Sequence, residues 1–579
     1  MVRDNLRVSD GSISLEGGVN SGNAPSLLKP NEVSFAVNTT FRGGYPKPRP
    51  GFRKIALSFG GDAALETAFK TGRFQVVGTY NTDLGNLQLI SMHGGKVFRT
   101  DVSPSGSFVV QDISIAGDLN AANREYAWTV QAENYFLLQD GQSKCFIYNG
   151  ADSRRAIATQ NEIFVGQQMT YMMGRIWIAN GRDYVAGDIV FGDSGTAANG
   201  LRDSILRFTE NQFLAEGGSF TIPLRAGDIT GLQPIENINT ALGQGSLIVG
   251  SNTSVFATDV PPDRLTWKDT REPLQRVVQI KYGPKNDRSM VNINGDLYYR
   301  SDDGIRSLSI AVRNFGQPGN IPISNEVGRI LEKDDLRYLK FCSAVNFDNR
   351  LLMTCSPART EHGVYHRGIV VLDFDLVSSM SERMPPAYDG MWTGIRVLQL
   401  VTGLDNGTER CFAYVLNTSN EIELWEITRS DRFDHDGTDE IRIAWFYETR
   451  LMPFDGKFSL KQLETADIFI ANLDSTVDFD VKYRPDGYSC WVDWDTFTEC
   501  AKTTYCSDDF TTCPSLPNYQ LQHRSNLHLK QPADTFDSVS KKLLRNGYEF
   551  QFRHAFVGYC EVRQCRYNAH IMEDDQHEL

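Results

Sequence analysis

From about residue 60 to residue 430, short apolar runs alternate with turns, and a second apolar run follows each turn. The runs are rich in Val, Ile, Tyr, Phe and Trp, and Gly, Asn or Asp stands at the turns, which is typical of β-hairpins. Seven such hairpins begin at Leu87, Tyr135, Arg175, Ser246, Asp296, Arg350 and Cys411. This recurrence, with little helical periodicity, predicts an all-β fold whose body is a β-propeller of six or seven irregular blades. A stack of irregular β-sandwich domains is the alternative.

A second β-rich region follows this body. Apolar side chains alternate with polar ones at Val477, Phe479, Val481 and Tyr483, which predicts a strand of a separate antiparallel domain. A stretch with cysteines, prolines and serines interrupts that domain and is predicted to be a surface insertion with one short helix from Asp537. The predicted division is an extended N-terminal assembly arm at 1–60, a propeller-like body at 61–432, and a C-terminal antiparallel β-domain at 433–579 with its insertion at 496–546.

The N-terminal segment has a composition of its own. Residues 17 to 53 combine six glycines with five prolines, which exclude a helix, and with the alternating apolar residues Val33, Phe35 and Val37. A chain of this kind is predicted to be extended and to dock on other surfaces. A Gly/Pro-rich linker is the alternative interpretation.

The order of residues in this segment resembles the N-terminal segment of the tail hub or nozzle proteins of short-tailed bacteriophages, which stabilise the head-to-tail junction. In that family a similar string precedes a long β-rich body. The resemblance is tight over residues 17 to 51 and rests on layout elsewhere. The matching residues are Gly17, Gly18, Asn20, Pro25, Leu27, Asn31, Glu32, Asn38, Arg42, Gly43, Arg49, Pro50 and Gly51.

The resemblance implies a structural virion protein of a phage tail, assembled in the host cytoplasm. Such proteins form sixfold rings below the portal and adaptor proteins, and the matching residues would then belong to an assembly arm of a hexamer. The ring would retain the genome, conduct DNA at ejection and offer docking surfaces for tail fibres or spikes. Movement of loops that narrow the channel would gate it.

The charge of the chain fits a conduit better than a clamp. Formal net charge is −14, with Lys and Arg scattered along the sequence. Stable nucleic-acid binding needs a basic surface, whereas an acidic lumen lets a duplex slide. We therefore expect transient passage of genomic DNA without specific binding. No apolar run approaches a membrane span and the N-terminus lacks a signal-peptide core, so we expect no membrane insertion.

Candidate catalytic and cofactor motifs are weak. Gly192-Asp193-Ser194-Gly195 matches a serine-protease string, but no histidine stands in a protease context. Ser301-Asp302-Asp303-Gly304 lacks the rest of a sialidase Asp box, and the glycine run from Gly243 lacks the residues that hold a nucleotide. The sequence therefore predicts no enzyme and no cofactor. Two alternatives remain: a receptor-binding tail protein that holds host glycans on a propeller, and a polysaccharide depolymerase with a β-propeller.

An acidic cluster, Asp434, Asp436, Asp439 and Glu440, resembles part of a calcium loop. Arg432 stands where the EF-hand pattern needs an acid, so the sequence favours a solvated turn between domains over a metal site.

Ten cysteines are unevenly distributed. Four lie among apolar runs and are predicted to be buried free thiols: Cys145, Cys342, Cys355 and Cys411. Six form a possible disulfide cluster near the C-terminus: Cys490, Cys500, Cys506, Cys513, Cys560 and Cys565. Reduced thiols and metal ligands are the alternatives for this cluster. Cys560 and Cys565 would close its shortest loop.

Overall fold

The computed structural model describes residues 7–12, 14–103, 107–189, 201–209, 219–236, 245–258, 274–278, 282–308, 322–375, 377–379, 382–383, 386–500, 524–538 and 542–572. Within these ranges the chain is mainly β-strand, as the sequence predicts.

The N-terminal segment contains short strands and a single 3-10 turn at Pro25–Leu27 within its described residues. Its strands are β1 (Arg7–Ser12), β2 (Gly18–Val19), β3 (Glu32–Val33), β4 (Phe35–Val37), β5 (Thr39–Thr40), β6 (Lys47–Pro48), β7 (Phe52–Lys54) and β8 (Ala56–Ser58). β2 pairs with β3 and β5 pairs with β6. Helix α1 (Ala63–Thr71) follows, and the Asp62 carboxylate caps it by accepting from the amides of Ala64 and Leu65.

Five separate sheets of three to five strands come next along the chain. The first joins β8 to β9 (Phe74–Asn81), β10 (Leu87–His93), β11 (Lys96–Asp101) and β12 (Ser107–Asp112). The second comprises β13 (Trp128–Ala132), β14 (Tyr135–Gln139), β15 (Phe146–Tyr148) and β16 (Ser153–Arg155). The third comprises β17 (Met169–Met172), β18 (Arg175–Asn180), β19 (Asp183–Ala186) and β20 (Ser219–Thr221).

The fourth sheet comprises β21 (Ile229–Glu236), β22 (Gly245–Ser251), β23 (Val255–Thr258) and β24 (Leu274–Val278). The fifth comprises β25 (Val291–Ile293), β26 (Asp296–Ser301) and β27 (Gly304–Ser307). Short helical turns lie between strands at Ala158–Gln160, Leu201–Leu206, Leu224–Ala226, Ile323–Val327 and Leu336–Phe341, with helix α2 at Gly328–Leu331.

Two further antiparallel units belong to one 18-stranded sheet. One unit comprises β28 (Ala344–Phe347), β29 (Arg350–Thr360), β30 (Gly363–Asp373) and, after the small ribbon of β31 (Val377–Ser379) and β32 (Glu382–Arg383), β33 (Ala387–Trp392). The other comprises β34 (Val397–Asp405), β35 (Thr408–Leu416) and β36 (Ile422–Ile427), with β7 as its outer strand.

The C-terminal region completes this large sheet. Its strands are β37 (Phe433–Asp436), β38 (Asp439–Arg442), β39 (Ala444–Glu448), β40 (Lys461–Pro485), β41 (Val492–Cys500), β42 (Arg524–Leu529), β43 (Phe536–Asp537), β44 (Lys542–Leu543), β45 (Asn546–Gly547) and β46 (Phe550–Ile571). β40 and β46 pair antiparallel along nearly their whole length. The predicted inward residues Val477, Phe479, Val481 and Tyr483 are all buried on β40. The described residues just after Asp537 form the short strands β44 and β45 and turns, so the predicted helix is wrong for these residues.

The arrangement is propeller-like. β9, β13, β17 and β21 pack side by side in sequence order, and β28 and β34 lie between the fifth sheet and β9. Adjacent sheets bury apolar clusters between them, such as Val76, Tyr80, Phe136 and Leu138 between the first and second. Five sheets stand as separate blades, fewer than the six or seven irregular blades that the sequence predicts. The last two hairpins, β29 with β30 and β35 with β36, belong instead to the large sheet. There β4 pairs with both β33 and β39, and β7 pairs with both β36 and β37, which connects these hairpins to the C-terminal strands.

Candidate functional site

The N-terminal segment is built into the fold of its own chain. β1 pairs with β46, β4 lies between β33 and β39, and β7 lies beside β36 and β37. The segment thereby joins the propeller-like body to the C-terminal domain. This differs from the predicted extended arm that docks on other surfaces, because the backbone N–H and C=O groups of an extended chain find partners on the sheet edges of the same chain.

Arg42 is the centre of an ionic cluster in this junction. Its guanidinium donates from Nε and Nη2 to both carboxylate oxygens of Asp373 at 2.9 Å, and from Nη1 to Asp348 at 2.9 Å. Arg350 adds a bond from Nε to Asp373 at 3.0 Å. The neighbouring Asp389 is fully buried, and burial together with the charge of Asp373 raises the pKa of Asp389 to about 7. This cluster ties the segment to β30 and the turn before β29.

Arg49 fills a second buried position. Only 1% of its side chain is exposed, and it binds Asp434 with both terminal nitrogens, at 2.7 and 2.9 Å. Its Nε donates to the Asn38 side chain at 3.1 Å, and Nη2 also donates to the Thr393 carbonyl at 2.9 Å. The Phe52 ring lies 3.6 Å from the guanidinium carbon. Planar stacking and a forked ion pair are features that arginine alone provides.

Two glycines of the segment fit where a side chain would not. A Cβ at Gly51 would stand 1.9 Å from the Phe433 carbonyl oxygen. Gly18 has φ +62° and would place a Cβ 2.6 Å from the Tyr388 carbonyl oxygen. Both glycines therefore let the segment approach the body closely.

The remaining matching residues also hold the segment in place. The Asn20 amide donates to the Val33 carbonyl at 2.8 Å, and the Asn31 carbonyl accepts from the Gly17 amide at 3.0 Å. The Glu32 carboxylate accepts from the Lys29 amide at 3.0 Å. The Pro25 carbonyl accepts from the Leu451 amide at 3.0 Å, and Gly43 lies in the turn that follows Arg42. The Pro50 carbonyl accepts from Arg49 Nη1 at 2.9 Å.

Leu27 is the exception among the matching residues, since 71% of it is exposed. Its neighbour Ser26 accepts a hydrogen bond at its carbonyl from Lys457 Nζ at 3.1 Å. Phe458 follows Lys457 and is 94% exposed. We call Leu27 and Phe458 the apolar foot. Two large apolar side chains in neighbouring segments are thus presented to solvent.

A small depression is lined by residues that flank β9 and by residues of β29, β30 and β34. Arg73, Arg288 and Arg359 line it together with one carboxylate, Glu125. Arg359 donates to Glu125 at 2.8 Å and Arg73 also bonds to it, while Lys340 Nζ lies 3.9 Å from its second oxygen. Sequence reasoning missed this cluster because its residues come from distant loops and strand ends, and no local spacing links them.

The prediction of four buried free thiols is confirmed. Cys145, Cys342, Cys355 and Cys411 are buried and unbonded, and burial raises the pKa of Cys145 and of Cys342 to about 12.

The predicted disulfide cluster is only partly described. Cys560 and Cys565 are buried, unbonded and on the same strand, β46. Five residues of strand span roughly 16 Å, whereas a disulfide needs Cα atoms about 4.4 to 6.8 Å apart. The suggested short loop between these two cysteines is therefore wrong. Cys490 is exposed and unbonded. Cys506, Cys513 and the side chain of Cys500 lie outside the described residues.

The other sequence candidates do not assemble a site in the described part of the chain. Asp434 binds Arg49, and Asp436, Asp439 and Glu440 lie on the exposed ribbon of β37 and β38. Asp303 binds Arg306 and Ser301 at the turn between β26 and β27. Residues 192–195 and Gly243 lie outside the described residues. In the described ranges, no three His, Cys, Asp or Glu side chains are grouped to hold a metal ion.

The helices that the structure describes include none with the length and apolar character needed to cross a membrane.

Comparisons with known proteins do not identify a family for this chain. No protein-family model matches the chain, and no curated protein matches it. Among solved structures, the chain is similar to a component of the crystal structure of the mitotic checkpoint complex, with 9% identity and a TM-score of 0.26. The match covers 62% of this chain and 91% of that chain. A similarity at this level carries no functional argument.

Proposed function

We propose that this protein is a tail nozzle or tail hub subunit of a short-tailed bacteriophage, a structural protein that assembles into a hexameric ring below the portal and adaptor. In this proposal the ring retains the genome in the virion, conducts DNA at ejection without specific binding, and carries tail fibres or spikes. The propeller-like body would complete its ring of blades with the two units that the large sheet absorbs.

The observation that supports the proposal is that most residues of the motif bond within the chain, whereas one of them is exposed to solvent. Its polar and glycine residues, such as Arg42, Arg49 and Gly51, are used inside the chain. Leu27 instead is exposed, and the preceding Ser26 bonds to Lys457, the neighbour of the exposed Phe458. Large apolar side chains exposed on adjoining segments occur at contact sites for other proteins. A second copy of the chain is the occupant that the family resemblance supports.

The test is the symmetry of the purified assembly, read by electron microscopy together with mass photometry. A sixfold or twelvefold ring would support the nozzle proposal, because closed cyclic symmetry follows from a head-to-tail contact. A trimer would contradict it and favour a receptor-binding fibre or a depolymerase.

A matched pair of variants tests the apolar foot. Leu27→Ser with Phe458→Ser should convert the ring to monomers while leaving the melting temperature within about 2 °C, since exposed residues contribute little to folding. Leu84→Ser is the control, because Leu84 is 83% exposed on a blade loop far from the motif in sequence. Rings that survive the double substitution would remove the apolar foot from the interface.

A further inference from the structure

We infer that the depression lined by Arg73, Arg288 and Arg359 is a binding site for a single oxyanion group, a carboxylate or a phosphate. Nothing in the proposed ring requires this site, and the inference does not depend on that proposal. It concerns a local excess of positive charge in a chain whose net charge is −14.

Positively charged side chains outnumber carboxylates around the depression. Glu125 is the carboxylate among the described lining residues, and it is shared by Arg73, Arg359 and, at 3.9 Å, Lys340. Arg288 does not bind it. Instead, Arg288 donates from Nη2 to the carbonyls of Gln75 and Ala127, at 2.7 and 2.8 Å. Asp287 lies beside Arg288 and interacts with its charge, so two carboxylates stand against three arginines and Lys340. The remaining positive charge would attract another anion.

Hydrogen bonds and a ring contact also hold the guanidinium groups in place without a ligand. Arg288 lies over the Tyr126 ring at 3.7 Å, and the Tyr126 hydroxyl donates to Asp287 at 2.5 Å. The Nε–H groups of Arg73 and Arg288 are buried and have no hydrogen-bond partner among the described residues. Buried donors without partners are costly, and an anion that accepts from them would remove that cost.

The size and position of the depression limit the ligand. Its remaining lining includes the apolar residues Phe74, Phe341, Val364 and Leu398, with Gln75 and Gly363. The depression has a volume of only about 10 Å³, room for roughly one water molecule. A single oxyanion group is therefore the most that could enter it, whereas the continuous phosphates of a duplex need an extended basic surface.

Ligand-observed NMR at low salt tests the site, with inorganic phosphate followed by phosphorus signals and glucuronate by saturation transfer. Glucose is the neutral probe. We expect phosphate or glucuronate, and not glucose, to bind the full-length protein, and the probe that binds identifies the ligand class. Arg359→Gln and Arg73→Gln should each weaken binding at least about fivefold, since a charge-assisted contact is lost.

Two further variants make the result specific. Glu125→Gln should strengthen binding about threefold or more, because it removes the competing carboxylate. Arg429→Gln is the matched control: Arg429 is 49% exposed and bonds to Glu409 at 2.8 Å, against 50% and 2.8 Å for Arg359 and Glu125.

Absence of binding by both oxyanions would overturn the inference. So would equal affinities in all variants, or weaker binding in Glu125→Gln. A gel shift of duplex DNA that Arg359→Gln abolishes would replace the single-oxyanion site with a phosphate-backbone contact.

Discussion

Arg49 and Asp434 form a forked ion pair, at 2.7 and 2.9 Å, across a separation of 385 residues. Arg49 comes from the N-terminal segment and Asp434 from β37, which begins the C-terminal region. The Asp434 carboxylate also accepts from the Phe52 amide at 2.8 Å. This pair therefore fixes the place where the segment passes between the two parts of the molecule.

Replacement of Arg49 by Lys should destabilise the protein by about 3 kcal/mol, because breaking a buried, fully bonded pair leaves donors and acceptors unmatched. The lysine keeps the charge but loses the fork and the stacking on Phe52. Chemical denaturation followed by tryptophan fluorescence would measure the change. Arg53→Lys is the control, since Arg53 is 48% exposed in its pair with Asp431 and should change stability by less than about 1 kcal/mol. Equal effects of the two substitutions would refute the role given to Arg49.

The local pattern of apolar runs and turn residues was sufficient to predict the hairpins. All seven predicted hairpins are antiparallel strand pairs in the structure, from β10 with β11 to β35 with β36. Each depends on residues close in sequence: an apolar run, a turn residue and a second run. That is why alternation and turn chemistry sufficed to predict them.

Long-range pairing could not be predicted in this way. Nothing in the residues around Val37 indicates that β4 lies between β33 and β39, hundreds of residues later. The fused sheet, the Arg49 pair and the cluster around Glu125 all depend on such contacts. For the same reason the packing of the N-terminal segment on its own chain was not predicted.

Deletion of residues 1–45 is expected to disrupt the fold. An independent arm would leave a folded monomer, but the deletion removes β1 to β5 and Arg42, and so exposes the edges of β33, β39 and β46. Unpaired sheet edges, and the loss of the two Arg42 hydrogen bonds to the buried Asp373, should make the product aggregate or become protease-sensitive.

Limited proteolysis and circular dichroism would show the effect of this deletion. Removal of residues 1–6 alone is the control, because it keeps every described strand. If the protein without residues 1–45 melts like the full chain, the prediction of an independent N-terminal arm would be supported instead.

Glu326 should make stability depend on pH. Its carbonyl accepts from the Ser21 amide at 2.5 Å, and burial, with the Glu32 charge, raises the pKa of the Glu326 carboxyl from 4.5 to about 7. The folded state thus disfavours the ionised form. This cost is absent below pH 4.5, grows as the pH rises from 4.5 to 7 and is complete above 7.

Glu326→Gln should consequently stabilise the protein at pH 8 by about 1 kcal/mol and have little effect at pH 4.5, allowing for partial exposure of the carboxyl. Melting temperatures at the two pH values would measure this difference. Glu332→Gln, at an exposed position, should change neither value. Stabilisation of equal size at both pH values would mean that ionisation of Glu326 is not the cause.

Cysteine reactivity should separate one exposed thiol from six buried ones. Cys490 is exposed, whereas Cys145, Cys342, Cys355, Cys411, Cys560 and Cys565 are buried and unbonded. Burial raises the pKa of Cys565 to about 11, so little thiolate forms there at neutral pH. Native alkylation should therefore label Cys490 within minutes and the six buried cysteines only after denaturation.

Mass spectrometry of peptides alkylated before and after reduction would read out these differences. The disulfide prediction now rests on Cys490, Cys500, Cys506 and Cys513, because strand geometry keeps Cys560 and Cys565 apart. In virions of the kind proposed above we expect at least one bonded pair among those four cysteines, at a gain of about 2 to 4 kcal/mol. Full alkylation of Cys490, Cys500, Cys506 and Cys513 in those virions would contradict the disulfide prediction. Rapid native labelling of Cys560 or Cys565 would contradict their burial on β46.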